Sequence, residues 1–285
     1  PVEFYVLSRP ERGPGYGGRC GHLPWTDNIH DMPLAEVHAH RFDCVLYQSH
    51  AHYLEDRRLL SEAQQRLPAI FLEHDPPRGH PTDTRHPVDD PALLLVHVTH
   101  FNALMWDSGR TPTRVITHGV VVPENVQYHG ALARGLTIVN HLAQRGRRLG
   151  ADVFAQVARE LPLDLIGMEA AAAGGLGEVR HDQLPAFACQ YRFLFNPIRY
   201  TSLGLAVCEA MMLGLPVVGL ATTEMARVIE NGVNGYAHTD LAWLIERMHA
   251  LLADPALAAQ LGQGARAYAR EHFSIERFAQ EWGKT

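Results

Sequence analysis

The sequence predicts an α/β protein with two domains, each built on a parallel sheet. Its 285 residues exceed what one small core needs and fit two domains of ordinary size. Short apolar runs alternate with helix-compatible stretches along most of the chain. This alternation predicts β-α-β units, in which consecutive strands lie parallel.

Composition and charge exclude several classes of protein. Apolar residues make up 46% of the chain and charged residues 20%, which is typical of a globular protein. The net charge of -6 argues against a nucleic-acid binder, since such a protein needs a basic surface. No run approaches the roughly 20 apolar residues that cross a bilayer, and the start carries no signal segment. We therefore expect a cytoplasmic protein, and leave open its attachment to the inner face of the membrane.

Neither the cysteines nor the histidines follow a pattern typical of a metal site. The 4 cysteines are isolated, which argues against a disulfide framework or a zinc knuckle. His-Ala-His occurs at His38/His40 and at His50/His52, and strand-like spacing would put both rings of a pair on one face. No carboxylate is fixed relative to these pairs. We predict no metal and no cofactor.

The first domain is predicted to span residues 1–122. Its strands are predicted at 4–7, 42–47, 69–72, 93–98 and 114–117. The glycines of residues 13–18 form either a phosphate or sugar cradle or a plain turn. Residues 74–91 are rich in Pro, Asp and His, which excludes a regular helix or a central strand. We expect a long loop there, at the carboxyl end of a strand, where open α/β sheets bind ligands.

The second domain is predicted to span residues 123–272, followed at 273–285 by a helix that packs back on the first domain. Strands are predicted at 136–139, 163–166, 193–195 and 216–219. Helices are predicted at 152–160, 205–213, 223–230, 240–252, 255–272 and 275–282.

Residues 196–218 are the most informative segment. A strand ends there, a loop turns through Gly204, and a helix begins with Glu209 in its first turns. Backbone N–H groups at the start of a helix can hold a diphosphate. Glu209 could accept hydrogen bonds from the vicinal hydroxyls of a ribose, or be a solvated helix residue.

This segment resembles the signature of glycosyltransferase family 4, the retaining group 1 enzymes with the GT-B fold. The signature is P-S-x-x-E-G-F-G-L-x-x-x-E-A-M-A-x-G-x-P-V-V, and its matching positions are Pro197, Gly204, Leu205, Glu209, Ala210, Met211, Gly214, Pro216, Val217 and Val218. Residues 229–236 are similar to the I-x-x-G-x-N-G segment of the family. The resemblance implies two Rossmann-like domains whose parallel sheets face a central cleft.

The resemblance also implies the site residues. The predicted catalytic residues are His74, which fits the active-site histidine of the family, Arg147 and Arg148. The predicted donor-binding residues are Gly17, Gly18, His141, Thr201, Ser202, Leu203, Gly204, Leu205 and Glu209. His118-Gly-Val resembles the N-G-V connector of the family.

The chain departs from the family at the groups that contact the phosphates and the sugar. Thr201 replaces the first glutamate of the family's E-x7-E pair. The positions of its basic pair correspond to Asn140-His141 and to a segment ending at Leu149-Gly150. We predict that Arg147 or Arg148 takes over the phosphate contact, the alternative being a solvated basic turn.

The resemblance implies an enzyme that transfers a sugar from a UDP- or GDP-sugar to an acceptor hydroxyl, with retention of configuration and without a metal ion. The acceptor is a saccharide, a lipid-linked molecule or a small molecule. A nucleotide-sugar epimerase of GT-B fold and a non-catalytic nucleotide-sugar binder are the alternatives, and Thr201 favours the second of them. The oligomeric state does not follow from the sequence.

Overall fold

The computed structural model describes residues 2–13, 16–19 and 25–285, and these form two compact units. Unit 1 extends to Glu73 and adds Arg85–Val96 and Asp107–Arg114. Unit 2 consists of His74–Thr84, His97–Trp106 and Val115–Thr285. The predicted boundary between residues 122 and 123 stays a prediction, as do the roles of the two domains.

Unit 1 carries two pieces of sheet. The first pairs β1 (Phe4–Ser8) in parallel with β2 (Ile29–Pro33). The second has the strand order β3-β4-β5-β6, with bounds Val45–Tyr47, Ala69–Glu73, Leu93–His97 and Thr113–Val115. Helix α1 (His50–Leu54) follows β3, and 3-10 turns lie at Pro10–Arg12, Leu34–Ala39, Asp56–Leu59 and Gln64–Arg66.

The strands of unit 1 confirm the predicted alternation, because β3 and β4 are parallel and α1 lies between them. The core of the unit is small and consists of Tyr47, Phe71, Val88, Leu93 and Leu95. Residues 74–91 contain no helix and no strand, as predicted. Strand β2 was not predicted, because its sequence Ile-His-Asp-Met-Pro has few apolar residues.

Unit 2 is built on a five-stranded sheet in which the four neighbouring pairs are parallel, with the order β11-β10-β9-β7-β8. In chain order these strands are β7 (Leu132–Ile138), β8 (Leu163–Ile166), β9 (Tyr191–Asn196), β10 (Val217–Leu220) and β11 (Gly235–His238). All six residues of β9 are buried. A central parallel strand covered on both faces has this pattern.

Helices of unit 2 connect and cover these strands. They are α2 (His100–Met105), α3 (Leu142–Arg145), α4 (Ala151–Glu160), α5 (Leu184–Ala188), α6 (Leu205–Leu213), α7 (Met225–Val228), α8 (Leu241–Ala253), α9 (Pro255–His272) and α10 (Ile275–Trp282), with 3-10 turns at Gly146–Leu149 and Ala170–Ala173. Asp240 and Asp254 cap α8 and α9, since each carboxylate accepts hydrogen bonds from two backbone amides of the first turn. None of the described helices is both long and apolar enough to span a membrane.

Two apolar clusters fill unit 2, one on each face of its sheet. Phe193 and Phe195 of β9 belong to one cluster, and Leu194 between them belongs to the other. Since successive strand residues point to opposite faces, the sheet is covered on both sides. Helices α6 and α9 contribute to the cluster around Leu194, and α4 and α8 contribute to the other.

The predicted helices at 152–160, 205–213, 240–252, 255–272 and 275–282 are confirmed, with ends that shift by one residue at most. The helix predicted at 223–230 has only the four residues of α7. Thr223 adopts a positive φ of 55°, and the Glu224 carboxylate accepts a hydrogen bond from the amide of Phe101. Tertiary contacts therefore hold this stretch out of a longer helix.

The C-terminal helix α10 is attached to the segment that precedes β7. Arg277 donates to the carbonyl oxygens of Thr117 and His118 at 2.8 and 2.9 Å, and its other terminal nitrogen contacts Glu281 at 2.5 Å. All four residues belong to unit 2.

Arg192 is a buried cation whose loss should destabilise unit 2. It is 6% exposed and donates to the carbonyl oxygens of Gly130, Leu251 and Leu252. Arg192→Ala should lower the free energy of unfolding by about 3 kcal/mol, because three carbonyl acceptors, two of them buried, lose their donor. Urea denaturation measures this. Arg270→Ala, which changes an exposed arginine of α9, is the control, and equal stabilities of the two variants would contradict the assignment.

Candidate functional site

Strained backbone conformations lie at the carboxyl ends of the strands of unit 2. Among the described residues other than glycine, a positive φ occurs at His141, Glu169 and Thr223. His141 follows β7, Glu169 follows β8 and Thr223 follows β10. Such conformations cost of order 1 kcal/mol each and concentrate at functional sites. This edge of the sheet is also where open α/β folds bind ligands.

The loops after β7 and β8 hold each other in place. The amide of His141 donates to the carbonyl oxygen of Met168 at 2.8 Å, and the Asn140 side-chain oxygen accepts from the amide of Met168 at 2.9 Å. The imidazole Nδ1 of His141 lies 3.2 Å from a carboxylate oxygen of Glu169. His141, predicted to bind the donor, is therefore half-buried at this edge and fixed through its backbone, while its Nδ1 makes no hydrogen bond to a described residue.

The basic loop, which is residues 145–148, lies directly against the start of the loop that follows β9, and Gly150 permits this close approach. Its φ is 81°, and a Cβ built there would lie 2.0 Å from the carbonyl oxygen of Pro197. No residue with a side chain fits this approach without displacing backbone. The carbonyl of Arg148 accepts hydrogen bonds from the amides of Arg199 and Tyr200 at 3.1 and 3.2 Å. The basic loop and residues 197–200 thus form one rigid corner.

The two arginines predicted to be catalytic differ in their surroundings. Arg147 is exposed and donates to Asp152 at 2.5 Å. Arg199 donates to the same carboxylate at 2.5 and 2.9 Å, and hydrogen bonding from Arg199 holds the pKa of Asp152 at about 2. Arg148 makes no side-chain hydrogen bond to a described residue. Of the pair, Arg148 is the one whose guanidinium lacks a protein acceptor in the described chain.

The predicted donor loop ends at an uncapped helix. Gly204 is the N-cap residue of α6, and no side chain caps this end. Within the described chain, no group accepts a hydrogen bond from the amides of Thr201 to Leu205. Amides in this position carry the positive end of the helix dipole and can bind an anion. The structure therefore brings together Thr201, Ser202, Leu203, Gly204 and Leu205 as a row of unused donors.

Glu209 lies one turn into α6 and is partly buried. Burial raises the pKa of its carboxyl, and the nearby His181 partly opposes this effect. The carboxylate has no hydrogen bond or ion pair with any residue that the structure describes. Glu209 is only partly shielded from solvent, and its carboxylate is able to accept hydrogen bonds from a ligand.

His74 begins the segment His74–Thr84 of unit 2, directly after β4. It lies close enough to His118 to influence its charge. Burial, together with the charges of His74 and Arg277, lowers the pKa of His118 to about 4. His118 also lines a cavity of about 150 Å³, with Thr99, Glu224 and Tyr268. The neutral imidazole of His118 stands where the resembling family has the asparagine of its N-G-V connector.

The glycine loop belongs to unit 1. Gly18 has a φ of 85°, and a Cβ there would lie 2.1 Å from the Asp31 carboxylate, so this position requires glycine. Gly17 is exposed and has open space around it. Residues 14, 15 and 20–24 of this region lie outside the described residues.

The histidine pairs do not behave as expected from strand-like spacing. His38 lies in a 3-10 turn, and His50 and His52 lie in helix α1. His50 instead joins Glu73 and His86, whose ligand atoms all lie within 4.8 Å of one another. A metal ion could bind such a group only through ring nitrogens that carry lone pairs.

The hydrogen bonds of His86 argue against a metal at this trio. Its Nδ1 accepts from the amide of Val88 at 3.1 Å, so the proton of the neutral ring is on Nε2. That Nε2 lies 3.1 Å from the Glu73 carboxylate, and Nε2 of His50 lies 3.0 Å from the same oxygen. We interpret the trio as a hydrogen-bonded network around a buried carboxylate. The absence of a metal site stays a prediction.

Comparison with protein families identifies the segment that contains the row of donors and Glu209. Residues 148–254 match the family model described as Glycosyl transferases group 1. Over 77 residues the chain is 40% identical to the D-inositol 3-phosphate glycosyltransferase of Xylanimonas cellulosilytica, a stretch that covers 26% of this chain and 18% of that protein. The chain thus matches less than a fifth of the length of this curated relative.

Solved structures resemble a much larger part of the chain. Sucrose-phosphate synthase from Thermosynechococcus elongatus superposes with a TM-score of 0.65 at 16% identity, covering 85% of this chain and 72% of that one. Anabaena HepE in complex with UDP and glucose gives a TM-score of 0.65 at 16% identity, covering 90% and 85%. The chain has the GT-B fold. The sequence-based prediction of the fold class is confirmed at this level.

Sequence reasoning did not select Tyr200, which the structure places next to the predicted donor loop. Tyr200 donates its hydroxyl proton to the carbonyl of Pro77 at 2.9 Å, and its ring packs edge-on against Phe101 at a centroid distance of 5.8 Å. The sequence carried one signal for Tyr200, its position next to Thr201. It carried none for the contact with Pro77, which is 123 residues away along the chain.

His118 should make the GT-B chain sensitive to acid. Its pKa is about 4 in the folded chain and about 6.5 when exposed, so unfolded chains bind more protons between these values. The stability that its neutral ring contributes is present above about pH 6.5 and is lost as the pH falls toward 4. The loss should be about 3 kcal/mol, because each pKa unit corresponds to about 1.4 kcal/mol.

The measurement is urea denaturation of wild type and His118→Asn from pH 7.5 to 4. Asparagine is the residue that the resembling family has at this position, and it does not titrate. As the pH falls, the free energy of unfolding of wild type should drop relative to that of His118→Asn, by an amount close to that loss. Parallel curves over the whole range would show that His118 is not held neutral.

Proposed function

We propose that this chain is a glycosyltransferase that moves a sugar from a nucleoside-diphosphate sugar to an acceptor hydroxyl with retention of anomeric configuration. The observation that carries the proposal is the start of α6. The amides of residues 201–205 and the Glu209 carboxylate have no hydrogen-bond partner in the described chain, and they lie within the segment that matches group 1 glycosyltransferases. Donors and an acceptor one helical turn apart fit a diphosphate and the ribose next to it.

Glu209 would hold the ribose. Two vicinal hydroxyls can each donate a hydrogen bond to a carboxylate, and such bonds favour its charged form. They would therefore oppose the effect of burial, which raises the pKa of this carboxyl in the free chain. Nucleotide binding and ionisation of Glu209 support each other in this arrangement.

The amides of residues 201–205 would bind the diphosphate. During transfer the bond between the anomeric carbon and the phosphate oxygen breaks, and the leaving nucleoside diphosphate gains negative charge. Fixed donors stabilise this charge without reorganising, which is an effective form of transition-state stabilisation. The acceptor oxygen forms its bond to the anomeric carbon on the face that the phosphate leaves, and its proton passes to the phosphate. No carboxylate base is needed.

His74 would contact the donor sugar. Its imidazole can hydrogen-bond a sugar hydroxyl or support the positive charge that develops at the anomeric carbon. We propose UDP-sugars as the first donors to test, because HepE, which shares the fold, binds UDP and glucose in its complex. GDP-sugars come second. We further propose that transfer needs no divalent ion and takes place in the cytoplasm.

A nucleotide-sugar binder without activity is the second candidate, and Thr201 is the observation that favours it. In the resembling family a glutamate at this position contacts the donor sugar, and a hydroxyl forms a weaker hydrogen bond than a carboxylate. Slow hydrolysis of the donor in the absence of an acceptor would argue for the enzyme. Stable binding without hydrolysis or transfer to any acceptor would argue for the binder.

Glu209→Ala should weaken nucleotide binding without unfolding the chain. Loss of hydrogen bonds to a charged group costs about 1.5–3 kcal/mol, so the Kd for UDP should rise roughly 10- to 100-fold. Calorimetry with UDP and GDP measures the affinity, and the melting temperature reports on folding. Glu160→Ala, at the exposed end of α4, is the matched control. A folded Glu209→Ala chain with unchanged affinity would refute the ribose assignment.

Thr201→Glu should change the preference for the donor sugar. A charged acceptor gains about twice as much as a neutral one from a hydroxyl donor, so the change should favour sugars whose 3- and 4-hydroxyls reach it. Turnover of several UDP-sugars by both proteins measures this. Identical donor profiles in two active proteins would show that residue 201 does not contact the sugar.

A further inference from the structure

Tyr200 contacts three segments of unit 2 that are far apart in the sequence. Its amide donates to the carbonyl of Arg148 in the basic loop at 3.2 Å. Its hydroxyl donates to the carbonyl of Pro77 at 2.9 Å, and its ring packs edge-on against Phe101 of α2 at a centroid distance of 5.8 Å. All four residues lie in unit 2. One side chain therefore connects the loop that precedes α6 with the segment that carries His74.

The backbone of Tyr200 is held by the residues around it. Arg199, which precedes it, donates to the Asp152 carboxylate at 2.5 and 2.9 Å and to the carbonyl of Arg147 at 2.8 Å. The amide of Tyr200 bonds to the next carbonyl of the same loop. Burial raises the pKa of the Tyr200 phenol, so its hydroxyl keeps its proton at neutral pH and remains a donor. The hydroxyl thus projects from a fixed base.

The segment that carries His74 has no regular structure of its own. Residues 74–84 contain no helix and no strand. Pro76 and Pro77 are buried, and a proline has no backbone N–H with which to donate a hydrogen bond. Such a stretch can be fixed from outside through its carbonyl groups. The placement of His74 therefore depends in part on the residues that bind these carbonyls.

Trp106 and Tyr200 hold this segment at two points. Trp106, the buried residue that caps the end of α2, donates its indole Nε1 proton to the carbonyl of Asp75 at 2.8 Å, directly next to His74. Tyr200 binds the carbonyl two residues further along the chain. The bond from Trp106 fixes the segment relative to α2. The bond from Tyr200 fixes it relative to the loop of residues 197–205, which precedes α6.

We propose that Tyr200 is a positioning residue that holds His74 at the distance from the amides of residues 201–205 that sugar transfer requires, a proposal that rests on the proposed function. Those amides would hold the diphosphate, and His74 would contact the sugar attached to it. Both act on the bond between the anomeric carbon and the phosphate oxygen, so their separation has to be fixed. The hydroxyl of Tyr200 fixes it through one hydrogen bond. Tyr200 acts through His74 rather than on the sugar itself.

The test measures hydrolysis of UDP-glucose, without an acceptor, by wild type and Tyr200→Phe. This substitution keeps the ring and removes the bond to Pro77. The kcat should fall roughly 10- to 100-fold, because displacing a catalytic group by about 1 Å can have an effect of that size. The Kd for UDP, measured by calorimetry, should remain that of wild type, since UDP lacks the sugar that His74 would contact. A merely structural role would lower the melting temperature and leave the kcat of the folded protein unchanged.

Tyr128→Phe is the matched control. The Tyr128 hydroxyl also donates to a carbonyl, that of Arg192, at the same distance of 2.9 Å, and its loss should leave kcat unchanged. A second comparison repeats Tyr200→Phe in a His74→Ala background. There it should lower kcat much less than in wild type, because a residue that acts through His74 has no effect once the imidazole is gone. Equal reductions of kcat in the two backgrounds would overturn the proposal.

The affinities for UDP and UDP-glucose separate this inference from the proposed function. If wild type hydrolyses UDP-glucose and Tyr200→Phe does so equally fast, the role of Tyr200 is overturned while the proposed function survives. If wild type binds UDP-glucose but neither hydrolyses nor transfers sugar from any donor, the proposed transferase fails. Binding then decides on Tyr200: Tyr200→Phe should weaken UDP-glucose relative to UDP, and an unchanged ratio of the two Kd values would overturn the inference. Failure of wild type to bind either nucleotide would overturn both.

Discussion

The parallel sheet of unit 2 is the constraint on which the rest of this unit depends. Its strands run in one direction and are covered on both faces, so a polar side chain on a strand needs a partner inside the unit, as Arg192 has. Other polar groups lie in the loops at the carboxyl edge, after β7, β8, β9 and β10. Strained residues, unused amides and the basic loop all occur at that edge. The packing of the core thus determines that reactive groups lie at this edge, and the residues of the loops determine which reaction is possible there.

The charge balance of the loops then distinguishes structural from functional groups. Arg147 and Arg199 share Asp152, and Arg192 donates to three carbonyl groups inside the unit. Each of these guanidinium groups already has an acceptor within the protein. Glu209, Arg145 and the amides of residues 201–205 have capacity but no partner in the described chain. These are the groups on which the proposed nucleotide site rests.

Much of this could be predicted from the sequence, since local patterns determine it. Helices α8 and α9 follow from apolar residues at helical spacing behind the caps Asp240 and Asp254. The start of α6 could be predicted because the long family signature at residues 196–218 covers it. Strand β11 was not predicted, because it has only four residues and begins with a glycine. Its Gly235 is required because the backbone of Val217 approaches it closely. The junction of Tyr200 with Pro77 joins loops far apart in the chain, and no local pattern reports such a contact.

The departures from the family signature can be explained by the same geometry. Leu149 ends the segment that corresponds to one of the family's basic positions, and in the structure it is buried in the core. A cation at position 149 would carry a large desolvation cost. Arg145 and Arg148 lie within four residues of it in the basic loop. The groups retained from the signature, Glu209 and the helix start, are those that would hold the nucleoside diphosphate. Thr201, the position that would contact the sugar, has changed. Both proposed functions, a transferase with an altered sugar preference and a binder without activity, are consistent with this combination.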